Sequence, residues 1–221
     1  MPHARRGLTA VALAILASSL AAASPPRDAP PFTYTIARAR TLPAGRAVSV
    51  EGIVTVPSGV VDAGFALQDA TGGIYVADTT GHWSPGARMR VIGRLSDNHG
   101  LMTITPLTVR RIGHGRIPRP RRVRTSAVAE RTEGRLVTVR GVAVDSVRND
   151  APYGHKLRID DGSGAVQVFF PAGAGDFGFA AIRPGVRLSV TGLSAQYDQT
   201  YEVMPRSRAD VVVTAEENTR K

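Results

Sequence analysis

The 221-residue chain contains no cysteine, and lysine occurs only at Lys156 and Lys221. Without cysteine there is no thiol nucleophile, thiolate metal site, disulfide or lipidated-cysteine anchor. Aromatic residues make up 5% of the chain, with a single tryptophan, which is thin for a long base-stacking platform. After residue 23 no apolar run approaches the roughly 20 residues that a membrane-spanning helix needs; Val211-Val212-Val213 is far too short. Hydrophobic residues at 43% suffice for a packed core. The 23 glycines and 15 prolines argue against a helical bundle.

The first segment reads as an address. Arg5 and Arg6 precede an apolar run from Leu8 to Ala23 that closes on Ala21-Ala22-Ala23. A basic start, a run too short to span and a small-residue end predict a secretory signal peptide over residues 1–23, with an uncleaved anchor as the alternative. The expectation is an exported bacterial protein, periplasmic or secreted, with no stable membrane insertion after cleavage.

An internal repeat organises the rest. Gly45-Arg46-Ala47-Val48-Ser49-Val50-Glu51-Gly52 matches Gly134-Arg135-Leu136-Val137-Thr138-Val139-Arg140-Gly141 at an offset of 89. Leu67-Gln68-Asp69-Ala70-Thr71-Gly72 matches Ile159-Asp160-Asp161-Gly162-Ser163-Gly164 at 92, and Pro85 to Gly93 matches Pro184 to Gly192 at 99. Thr103 to Pro106 matches Glu202 to Pro205, again at 99. The order is kept and the offset only grows, as loop insertions would make it do.

Each copy shows short runs of period-2 alternation broken by turn residues, so the fold class is all-β. A glycine after the first run (Gly52) suits a bend that lets one strand serve both sides of a small barrel. Two tandem five-stranded Greek-key barrels of the OB type follow, over residues 33–109 and 125–213, with a joint over 110–124 and a frayed tail over 214–221. An SH3-like barrel or small sandwich is the structural alternative. Gly173 to Ile182 falls between the third and fourth strands of the second copy, where a short helix plugging the barrel with Phe177 or Phe179 is expected.

The strings Leu67-Gln68-Asp69, Gly72-Gly73-Ile74-Tyr75-Val76, Pro85-Gly86 and Val91-Ile92-Gly93 resemble the OB-fold domains of exported bacterial proteins. The paired arrangement, with Ile117-Pro118-Arg119-Pro120 at the joint, is similar to the tandem OB segments ahead of some bacterial sensor kinases. No kinase-like segment follows the second copy. The resemblance implies a fold and a general binding role and transfers no catalytic residue.

The net charge of +10 is local. Residues 110–124 hold Arg110, Arg111, Arg116, Arg119, Arg121, Arg122 and Arg124 with no acid, whereas residues 125–213 balance. Such a stripe attracts polyanions: nucleic acid, anionic lipid headgroups or acidic polysaccharide. Alternation also turns Tyr75 outward from the third strand of the first copy. In the second copy it turns Phe169 outward, with Lys156 and Arg158 on the neighbouring strand. Aromatic and basic residues on that face suit single-stranded nucleic acid.

Other chemistry is weakly signalled. Asp160-Asp161-Gly162-Ser163-Gly164 reads as a hairpin turn, and the histidines lack metal-ligand spacing. The sequence therefore predicts no catalytic residue, metal or cofactor. The leading reading is an exported, non-catalytic protein binding single-stranded nucleic acid or another polyanion. The rival is a protein- or ligand-sensing module with an envelope protein as partner and the joint merely solvated. A nuclease comes third.

Overall fold

The computed structural model describes residues 33–77 and 80–214. The expected signal peptide over residues 1–23, and the expected tail from residue 215 on, lie outside the described residues. Alternating valines and polar residues form β1 (Ala47–Val56), followed by β2 (Phe65–Gln68), β3 (Gly73–Val76), β4 (Ala87–Asn98) and β5 (Leu101–His114). These close a barrel in the order β1-β2-β3-β5-β4, with β3 and β5 parallel and the other neighbours antiparallel. That is the OB arrangement. β1 pairs with β4 as far as Ile53 and with β2 from Ile53 onward. A Cβ at Gly52 would stand 3.1 Å from the Gln68 carbonyl oxygen, so glycine permits the bend there.

The second copy begins with β6 (Arg121–Arg122), then β7 (Leu136–Ala143), β8 (Arg148–Asp150), β9 (Gly154–Asp160) and β10 (Val166–Pro171). β11 (Arg187–Tyr197), β12 (Thr200–Met204) and β13 (Val211–Thr214) complete it. The cyclic order β7-β9-β10-β12-β11 repeats the first barrel, with β11 returning to β7. β12 and β13 together stand in for β5, separated by Pro205 and a 3-10 turn at Arg208–Asp210. Between β10 and β11 the structure has 3-10 turns at Ala172–Ala174 and Phe179–Ala181 in place of a short helix. The glycines of that stretch disfavour a continuous helix. Phe177 still fills the barrel end, 3% exposed and edge-on to Phe170 at 4.9 Å.

The joint differs from expectation. Residues 110–114 are the end of β5, and Arg121–Arg122 pair in parallel with Val137 and Thr138 of β7. Arginines sit readily on such edge positions, because the stem lies along the sheet while the head stays in water.

Each barrel has its own core, around Val50, Phe65, Leu67 and Met89 in the first and Val139, Leu157, Phe170 and Val190 in the second. A third apolar cluster lies between them, built from Val56, Ala66, Tyr75 and Leu101 against Leu136, Leu193, Ala195 and Met204. Gly73 and Gly134 meet in this seam so closely that a Cβ on either would overlap the other's carbonyl. Beside them Arg40 donates to Glu130 at 2.5 Å and to the buried Glu133 at 2.9 Å. Glu133 also accepts from the Met102 amide at 3.0 Å. Burial raises the Glu133 carboxyl above its ordinary value even though Arg40 pulls the other way.

Candidate functional site: an arginine-lined sheet face

The strand faces that the sequence assigns to ligand are largely occupied. Tyr75 does point out of the first barrel, as alternation requires, but the second barrel covers it. It is 4% exposed and its hydroxyl donates to the Val61 carbonyl. The expectation of an exposed stacking residue at Tyr75 is therefore corrected. Period-2 patterning shows which residues leave the barrel core and is silent on what lies beyond them.

Phe169 is half-buried against the same seam. Lys156 and Arg158 face outward as expected, and their charges are already matched. Lys156 Nζ lies 2.8 Å from Asp150 and 5.8 Å from the Phe169 ring centre. Arg158 Nε lies 2.9 Å from Asp145. Burial opposes ionisation of Asp145, yet hydrogen bonds from the Arg158 amide and guanidinium hold its carboxyl below the usual range. Pairs this close leave little field for a phosphate.

The arginines of residues 110–124 behave differently. All seven are exposed. Arg111 Nε donates to the Gly113 carbonyl at 3.3 Å. Among the described residues Arg110, Arg116, Arg119, Arg121, Arg122 and Arg124 form no ion pair.

Two further arginines join them. Registers set Arg122 beside Thr138, Thr138 beside Thr191, and Arg140 beside Ser189. They also set Val142 beside Arg187, and Ser189 and Arg187 beside Val212 and Thr214. All of these point away from the barrel core, since the alternating Val137, Val139, Leu188 and Val190 point into it. Across β6, β7, β11 and β13 this outer face carries Arg122, Arg140 and Arg187 and no carboxylate. Asp160, opposite Val142 on β9, is the next acid on that side, and its Oδ1 accepts from the Gly162 and Gly164 amides at 2.7 and 3.1 Å.

The first barrel supplies an internal comparison. Its counterpart of Arg140 is Glu51, which pairs with Arg88 at 3.0 Å and Arg90 at 2.6 Å. The hydrogen bond from Arg90 leads in holding Glu51 below its ordinary pKa. Arg187 is the counterpart of Arg88, so the second copy keeps the cation and replaces its partner by another cation. The offset of 89 between Glu51 and Arg140 was the signal that would have found this face.

The Asp-rich turns hold their own backbone. Asp69 accepts from the amides of Thr71 and Gly72, each at 2.7 Å. Hydrogen bonds from Ser163 and Thr125 bring Asp161 down to about 2. A cleft of about 340 Å³ opens beside β8, lined by Asn149, Pro152, His155, Phe170, Asp176 and Phe179 among others.

No protein-family model and no curated protein matches this chain. Among solved structures, the hypothetical protein ygiW from E. coli is similar at 18% identity over 37% of this chain and 90% of its own, with a TM-score of 0.31. An OBody bound to hen egg-white lysozyme matches at 18% over 46% of this chain and 100% of its own, TM-score 0.36. A murine DNA binding protein bound with double-stranded DNA matches at 12% over 78% of this chain and 99% of its own, TM-score 0.38. Strand order, rather than any of these likenesses, identifies two tandem OB-like barrels.

Proposed function

We propose that this is an exported, non-catalytic protein that binds polyanions through the arginine face of the second barrel and the arginine segment leading into it. The observation that carries the reading is the exchange of Glu51 for Arg140 between the two copies. Like charges on adjacent strands disfavour the fold by a few tenths of a kcal/mol to about 1 kcal/mol unless an anion sits between them. Guanidinium forks match phosphate, sulfate and carboxylate groups alike. With Tyr75 covered and Phe169 half-buried beneath Lys156, stacking on bases contributes little, so the binding is electrostatic and indifferent to base sequence. Export rests on the pattern of residues 1–23 and places the protein in the periplasm or outside the cell.

Fluorescence anisotropy of residues 24–221 with a labelled single-stranded oligonucleotide across a salt series tests this. Tight binding at low salt, with a log–log slope of several, is the expected result. Heparin should displace the oligonucleotide, and oligonucleotides of different sequence should bind equally. Arg140→Glu should weaken binding about tenfold at low salt and lower the slope by roughly 1–2. An absence of binding at low salt would reduce the arginines to hydrated surface. The rival, a ligand-sensing module like the tandem OB segments of sensor kinases, would then rest on the cleft beside β8.

A further inference from the structure

Resting on the polyanion reading above, we propose that the polyanion is the surface of an anionic lipid bilayer, met by the outer face of β7, β11 and β13. The face is aliphatic as well as basic. Val212 stands opposite Ser189, in the same row as Arg140, and is 52% exposed. Val144 continues the outward line of β7 and is 45% exposed. These two belong to the seven large hydrophobic side chains left exposed among the described residues. Their grouping around one basic face is what needs explaining.

Hydrated phosphate or sulfate backbones give an exposed valine nothing to bury against. The interface of a bilayer accepts both parts, with arginines at the headgroups and aliphatic side chains at the acyl boundary. Each arginine close to an anionic leaflet strengthens attachment about fivefold, and the effect fades within a Debye length. Position favours the same partner. The outward line of β7 starts at Leu136, buried in the seam, and runs through Thr138 and Arg140 to Val142 and Val144. The basic and aliphatic end of the face therefore lies clear of the first barrel.

Vesicle co-sedimentation of residues 24–221, which retain the whole described fold, tests the proposal. The leader is omitted because its own apolar run would partition into lipid. Vesicles of phosphatidylcholine with phosphatidylglycerol should pull down the protein, those of phosphatidylcholine alone should not, and high salt should release it. Val144→Ser and Val212→Ser should each weaken vesicle binding about fivefold and leave retention on heparin unchanged. Circular dichroism confirms that each variant is folded. Retention on heparin or on the oligonucleotide without vesicle binding overturns the lipid proposal and leaves the polyanion reading standing. Vesicle binding that ignores both valines overturns it as well. Loss of heparin, oligonucleotide and vesicle binding together removes both.

Discussion

Tyr75→Ala should lower the unfolding free energy by about 3–5 kcal/mol, the cost of emptying a large buried aromatic site. The ring lies in the seam with Ala66, Leu136, Leu193 and Met204, so the cavity would open between the barrels. Tyr75→Phe separates the two contributions of the side chain. It keeps the ring and leaves the Val61 carbonyl without its donor, a loss of about 1–3 kcal/mol. Urea denaturation followed by far-ultraviolet circular dichroism and by tryptophan fluorescence measures both variants. Trp83 packs near Phe65 and reports on the first barrel alone. In the native chain the two probes should move together, because neither barrel keeps its seam covered without the other. In Tyr75→Ala they should separate. A Tyr75→Ala variant within 1 kcal/mol of the native chain would mean that the seam contributes little. Burial raises the Tyr75 phenol above its ordinary value, so alkaline titration of the folded protein should leave Tyr75 un-ionised until unfolding.

Glu202→Gln should stabilise the protein by about 3 kcal/mol at pH 8 and leave it unchanged at pH 4. Glu202 is 2% exposed on β12, beside Gln167, whose amide donates to it at 2.7 Å. Burial pushes its carboxyl up from 4.5 to about 7, against the opposing pull of Gln167 and Lys156. The folded state therefore holds a proton that the unfolded chain releases between those two values. Native stability falls as pH rises from about 4.5 to 7 and stays low above that. A glutamine has no charge to desolvate and can still accept the Gln167 hydrogen bond, so its curve should lack this fall. Thermal or urea midpoints across pH for both chains decide the matter. Parallel curves would show that Glu202 ionises in the folded state with no penalty.

Much of the fold was legible from alternation and repetition. Val48, Val50, Ile74, Val76, Val166 and Val168 all point into barrel cores, as a period of two requires. The duplication located the equivalent strands in both copies. The seam was harder to see. Leu136, Leu193 and Met204 are apolar at outward positions, which signals a covered face, but the covering surface lies far away in sequence. β6 was invisible for a related reason: its two arginines carry no pattern, and their pairing depends on where β7 happens to run. The arginine segment was evident from charge alone. Its continuation through Arg140 and Arg187 required the registers of three strands.

The two barrels meet through non-equivalent patches, which has a bearing on assembly. At the offset of 92, Ala66 and Tyr75 of the first seam patch correspond to Arg158 and Gln167 in the second copy. Leu193, Ala195 and Met204 of the other patch correspond, at 99, to Arg94, Ser96 and Thr105 in the first copy. A contact between different patches of like units is head-to-tail, and repetition makes an open filament unless rotation closes a ring. This chain holds the first bond of such a series. Both patches left over are polar, as the outer faces of terminal repeats are in solenoids. Arg94 and Arg158 thus act as end caps, and restoring leucine and tyrosine at Arg94 and Gln167 would recreate the two complementary ends of a fibre.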